Sequence, residues 1–133
     1  MLQTFEISTS KRDELRDITR EVVSYVRKSG VREGLALVYC PHTTAGIAIN
    51  ENADPDVKHD CLMLLDEVFP WEHPKYRHAE GNTAAHLKSI MAGPSQHLII
   101  HEGELLLGRW QGIYFCEFDG PRRRQYMVKI LEG

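Results

Sequence analysis

The sequence predicts an α+β domain: a largely antiparallel sheet or sandwich with helices packed on one side. Three observations carry this. The last forty residues read as strands joined by tight turns, Glu102-Gly103 and Asp119-Gly120-Pro121 among them. Apolar residues recur at helical spacing in three earlier segments. Glycine and proline fall between these segments rather than inside them. Strands joined by tight turns, with helices to cover one side of the sheet, favour α+β.

Taken in order, residues 2–8 alternate and read as a first strand. Ser10 and Asp13 match a capping box, with Leu15, Ile18, Val22 and Tyr25 or Val26 behind them, so a helix is expected from there to Gly30. Gly34 to Cys40 is a continuous apolar run, read as a strand buried on both faces and ended by Pro41. His42-Thr43-Thr44 links it to a second strand, Ala45 to Asn50. Asp54 is an N-cap with Pro55 at the first helical position. In that helix Val57, Cys61, Leu64, Leu65 and Val68 form the predicted buried stripe, and Pro70 closes it. Residues 70–82 form a long loop of the kind that carries function. Asn82 or Thr83 caps a short helix to about Met91, stopped by Gly93-Pro94. Strands follow at His97–His101, Leu105–Leu107, Gly112–Phe118 and Gln125–Leu131.

The bulk numbers bound the function. At 133 residues the chain reads as one domain, 1–133, large enough to hold a core without staples. A net charge of −3 argues against nucleic acid or an anionic membrane as partner. No apolar run is long enough to span a bilayer, and the N-terminus shows no basic-then-apolar signal. Cys40, Cys61 and Cys116, an odd number without close spacing, read as reduced, buried thiols in a cytoplasmic protein.

The polar residues concentrate in a few places. His42 follows Pro41 at a strand end. Asn50, Glu51 and Asp54 lie where a strand hands over to a helix; carboxylates so placed can hold Mg²⁺ with substrate phosphates, although capping already explains Asp54. His78 and His86 bracket the start of a short helix, where free N–H groups favour anions and neutral imidazoles could bind zinc or another first-row ion. The plainer reading is that each histidine packs or points to solvent. Arg122-Arg123-Arg124 is the one dense basic run, suited to phosphate or to a solvated turn. In Gly108-Arg109-Trp110-Gln111-Gly112, two glycines flank a Trp, which points to close backbone approach by a ligand or partner. His97 and His101 share a strand face and read as a surface pair. Ser89 and Ser95 lack a nucleophile context.

Three blocks together resemble the YjbQ family. The first is Pro41-His42-Thr43-Thr44-Ala45-Gly46 with Asn50-Glu51-Asn52-Ala53-Asp54-Pro55-Asp56-Val57. The second runs from His78 to Ser89. The third is Gly108 to Ile113 with Glu117 to Arg122. The blocks occur in order and span nearly the whole chain; Ser95 to Glu104 lies outside them. The resemblance implies a homotrimer with secondary thiamine-phosphate synthase activity, joining a hydroxymethylpyrimidine diphosphate to a thiazole phosphate with release of pyrophosphate. It implies catalytic roles for His42, Glu51 and His86, and substrate or phosphate contacts at Thr43, Thr44, Asn50, Asn82, Gln111 and Arg122. A divalent ion, Mg or Zn, would sit on His78, His86, His42 and Asp54. Two other functions compete: a metal-dependent hydrolase of a small phosphorylated or ester metabolite, and a non-catalytic metal- or ligand-binding protein.

Overall fold

The computed structural model describes residues 1–133. The strands are β1 (Leu2–Ser8), β2 (Glu14–Asp17), β3 (Glu33–Tyr39), β4 (Ala45–Glu51), β5 (Ser95–His101), β6 (Glu104–Leu105), β7 (Gln111–Glu117) and β8 (Arg123–Glu132). The helices are α1 (Thr19–Ser29), α2 (Pro55–Val68) and α3 (Thr83–Ala92). Every strand pair is antiparallel. They form a five-stranded sheet in the order β1-β8-β3-β5-β6 and a three-stranded sheet in the order β2-β7-β4. The α+β class holds. No helix is long and apolar enough to cross a membrane.

The main core lies between the sheets. Ala36 and Val38 of β3, Ile113 and Phe115 of β7, and Tyr126, Val128 and Ile130 of β8 meet there, joined by Val22 and Val26 of α1. The pleat sends alternate residues of β7 the other way. Tyr114 and Cys116 therefore join Phe118 and Ala85 of α3 in a second cluster, against which Leu65 of α2 packs. Helices α2 and α3 thus cover the outer side of the small sheet.

Three expectations need correction. The first helix begins at Thr19, not near Ser10. Residues Glu14–Asp17 instead pair with Tyr114–Glu117 as an edge strand, which turns Leu15 toward the second cluster. Strand pairing overrides the helical spacing, and the Ser10 N–H donates to Glu14 Oε1. Asp17 Oδ1 supplies the acceptor for the Thr19 N–H at the actual helix start, at 2.9 Å. Gly30 ends α1 in a left-handed conformation, as expected.

The second correction concerns β3, which is not buried on both faces. Gly34, Ala36 and Val38 face inward, while Leu35 and Tyr39 on the other face are exposed. The third concerns α2. Asp54 caps it as predicted, accepting the Asp56 N–H, but no residue of α2 is buried. Cys61, Leu64 and Val68 face solvent, so Cys61 is not a buried thiol. Cys40 and Cys116 are buried, and burial pushes their thiols up to about 11 and about 12.

Candidate functional site

Chain order puts little in contact here; the β7–β8 turn does most of the gathering. Glu117 closes β7 and Arg124 opens the buried part of β8. Both are buried and form an ion pair in which Arg124 Nε donates to Glu117 Oε1 at 2.8 Å. Glu117 also accepts from the Thr9 hydroxyl at 2.8 Å and from the Asp119 N–H at 3.0 Å. Burial alone would raise this carboxyl; its bonds to Arg124, Asp119 and Thr9 outweigh burial and lower it. Arg124 also donates to the Thr44 hydroxyl at 2.8 Å. The turn between them contains a cis Gly120–Pro121 bond.

Above this floor, Asp119 Oδ2 accepts from Asn82 Nδ2 at 2.8 Å and from Arg122 at 3.0 Å. This brings the third sequence block to the start of α3. Ser89 Oγ donates to the Ala45 carbonyl at 2.7 Å and seats α3 along β4. At that helix start the rings of His78 and His86 stand edge to face, 5.4 Å between centroids. The Asn82 side chain makes no capping bond to its own helix. Its amide orientation is set by the carboxylate of Asp119, which leaves Oδ1 as an acceptor. Asn82 Oδ1 and Thr83 Oγ1 are the two buried side-chain atoms with no partner.

His42 is half-buried beside the same turn. Its Nε2 accepts from the Gln125 N–H at 3.0 Å, so the neutral ring carries its proton on Nδ1. Burial first, and then the charge of Arg124, lowers the pKa of this imidazole.

The expected pocket divides in two. Asn50, Glu51 and Asp54 lie at the far end of β4 from Thr44 and Ala45. Six residues of strand separate the ends, roughly 20 Å. Glu51 and Asp54 therefore share no site with His42 or His86 within one chain. They line, with Trp110, a separate open cleft of about 450 Å³. The metal set His42, His78, His86 and Asp54 is not assembled, and no three His, Cys, Asp or Glu side chains converge anywhere in the chain.

Several proposed substrate contacts are already engaged. The Thr44 hydroxyl is buried against Arg124. Gln111 Oε1 accepts the Gly108 N–H at 2.8 Å, so this side chain closes its own loop. Asn50 Oδ1 accepts the next residue's N–H, that of Glu51. Thr43 remains exposed, as does half of Arg122. His97 and His101 are both exposed on β5, as read, and His101 pairs with Glu33.

A profile described as "UPF0047 protein YjbQ-like" matches residues 3–133. The chain belongs to the YjbQ family. It is 63% identical over 131 residues to the UPF0047 protein YugU of Bacillus subtilis, covering 98% of this chain and 99% of that protein. It is 53% identical to the UPF0047 protein MJ1081 of Methanocaldococcus jannaschii, over 98% and 94% of the two chains. A crystal structure of a YjbQ/UPF0047 protein from Clostridium acetobutylicum superposes with a TM-score of 0.95 at 55% identity, over 97% and 99% of the chains. A structure from Sulfolobus solfataricus, described as a protein of unknown function, gives 0.95 at 33% identity, over 100% and 97%.

In this YjbQ chain, sequence reasoning missed Glu117, Thr9 and the buried role of Arg124. One signal was available: Glu117 interrupts the run Ile113–Phe118 with a charge, and a charge inside a buried strand needs a partner. Which arginine supplies it depends on the turn geometry.

Proposed function

We propose that this YjbQ chain is a transferase acting on small phosphorylated substrates, with its site at the start of α3. The reaction implied by the resemblance fits the groups gathered there. A C–N bond forms between the thiazole nitrogen and the pyrimidine methylene carbon as the C–O bond to diphosphate breaks. The observation that carries this reading is the Asn82–Asp119–Arg122 cluster beside the His78–His86 pair. Arg122 offers positive charge to the departing diphosphate, aided by the positive end of α3. His86 or His78 can give it a proton, and His42 Nδ1–H can donate a hydrogen bond from a neutral ring. Asn82 Oδ1 and the Thr83 hydroxyl, buried at the same helix start, have no partner in the chain.

A divalent ion fits this donor set poorly, since two imidazoles stand together with no third His, Cys, Asp or Glu beside them. No step is therefore assigned to a metal, and the hydrolase reading, which needs one, is the weaker. A reducing compartment such as the cytoplasm is supported by three unpaired thiols.

We further infer a homotrimer. Leu35, Ile99 and Leu131 are cross-strand neighbours on the outer face of the large sheet, 43%, 55% and 53% exposed. Exposed apolar residues also lie on α2 (Leu64, Val68) and on α3 (Ile90, Met91). Unlike sets of exposed apolar residues on one chain favour head-to-tail contacts that close into a ring.

The test is pyrophosphate release from hydroxymethylpyrimidine diphosphate and thiazole phosphate by wild type and His86→Ala. Loss of turnover by about a hundredfold, with circular dichroism and assembly unchanged, is expected. Unaltered turnover in the variant removes His86 from the chemistry. No release by wild type overturns the transferase reading and leaves the binding-protein reading.

A further inference from the structure

A different part of the molecule holds an unexplained hydroxyl. Where β1 and β2 part, as edge strands of different sheets, a cleft of about 340 Å³ opens. Tyr126 lies at its floor and is 2% exposed. Its ring is fixed by stacking on Phe5, 5.0 Å between centroids and 6° from parallel, and by Phe115 on the other side at 6.1 Å. The phenol makes no hydrogen bond within the chain, and it borders the cleft. Buried Tyr114 and half-buried Tyr76 behave differently, donating to the carbonyls of Glu51 and Pro70 at 2.9 Å each. Unlike Asn82 Oδ1 and Thr83 Oγ1, the Tyr126 hydroxyl is not sealed from solvent, so a partner would reach it through the cleft.

The rim decides what that partner would be. Glu21 of α1 lines the cleft and has no ion-pair partner in the chain. Glu6 has one, Arg123, in an exposed pair at 3.1 Å. The one cation of the lining is Arg16, and it is engaged by Glu14 at 3.0 Å and by the Ser8 carbonyl at 2.9 Å. Asp17 accepts bonds from Thr19 and Asn52. The uncompensated charge is negative, while Ile7 and Ile18 give the cleft apolar walls. Burial, and after it the charge of Glu21, raises the Tyr126 phenol, which keeps it protonated and able both to donate and to accept.

We propose that this cleft is a second ligand site, independent of the α3 site, which takes a small organic ammonium ion. The ammonium would donate to Tyr126 Oη and to the Glu21 carboxylate, and a short apolar body would lie against Ile7 and Ile18. Its volume is at the lower end of small-molecule sites, so the ligand is compact.

Titration with benzylammonium, followed by amide chemical shifts, tests this, with benzyl alcohol as the neutral probe of the same shape. Saturable shifts confined to Ile7, Ser8, Ile18, Glu21 and Tyr126 are expected for the ammonium alone. Glu21→Gln should weaken binding about tenfold or more, because a charge-assisted bond is lost. Tyr126→Phe removes one oxygen and keeps the ring stack, and should weaken binding several-fold. If that variant unfolds, the exposed Glu21 substitution decides alone. No saturable shift up to about 10 mM, an equal response to benzyl alcohol, or unchanged affinity in Glu21→Gln overturns the proposal.

Discussion

Arg124 and Glu117 face each other across the turn that joins the two sheets, both withdrawn from solvent, and neither has another countercharge. From this pair the bonds run outward to Thr9, Thr44 and Asp119, and through Asp119 to Asn82 and Arg122. The candidate site is therefore built on a buried ion pair rather than on apolar packing alone.

Glu117→Gln leaves the Arg124 guanidinium buried without its counterion. Unfolding free energy should fall by about 3–5 kcal/mol, read from urea unfolding near neutral pH. The pH dependence has a definite sign. The folded carboxyl titrates below its ordinary value of 4.5, so its contribution is complete above 4.5 and is lost as pH falls through the lower, folded value. Melting temperature measured from about pH 6 down to about pH 3 should fall more steeply for wild type than for Glu117→Gln. Parallel curves would mean that Glu117 does not set the acid limb.

Helix α2 is held by charge as well as by the packing of Leu65. Lys88, 1% exposed in α3, bonds Asp13 at 3.0 Å and Asp66 of α2 at 2.9 Å, and Arg12 reaches Asp66 at 2.8 Å. The Lys88 bond is the main cause that lowers the Asp66 carboxyl. Lys88→Met should therefore cut hydrogen-exchange protection in α2 about tenfold, by roughly the worth of one charged hydrogen bond, while the sheets keep theirs. Equal loss in α2 and in the large sheet would show that Lys88 supports the whole fold instead.

The exposed triplet Leu35, Ile99 and Leu131 predicts assembly. Wild type should scatter light at three times the chain mass, and Leu35→Glu at one, with unchanged circular dichroism. A wild-type monomer would refute the trimer, and a Leu35→Glu trimer would move the interface elsewhere.

Most of the fold was readable because glycine, proline and capping residues mark element ends: Gly30, Asp54-Pro55 and Gly93-Pro94 lie where they were expected to. What escaped was set by contacts distant in sequence. Leu15 and Ile18 match a helix in spacing, yet pairing of Glu14–Asp17 with β7 turns the first into a strand residue. Gly34 to Cys40 looks doubly buried because an apolar run does not say whether the chain covers its second face. The site was half legible. His42, His78, Asn82, His86 and Arg122 lie around one turn and one helix start, and Glu51 and Asp54 lie a strand's length away. Residue types announced polar chemistry; only the register of β4 on β7 divides it between two ends.

The segment from Phe118 to Arg122 splices β7 to β8, and each of those strands has a neighbour on both sides. Widening the splice means sliding one sheet over the other, which amounts to opening the sandwich. A ligand of the proposed α3 site would thus meet the surface as it already stands, without a hinge to mould it. The N–H groups of Phe118 and Gly120 are held by the carbonyls of Thr44 and Arg12, which ties the splice to both neighbouring segments.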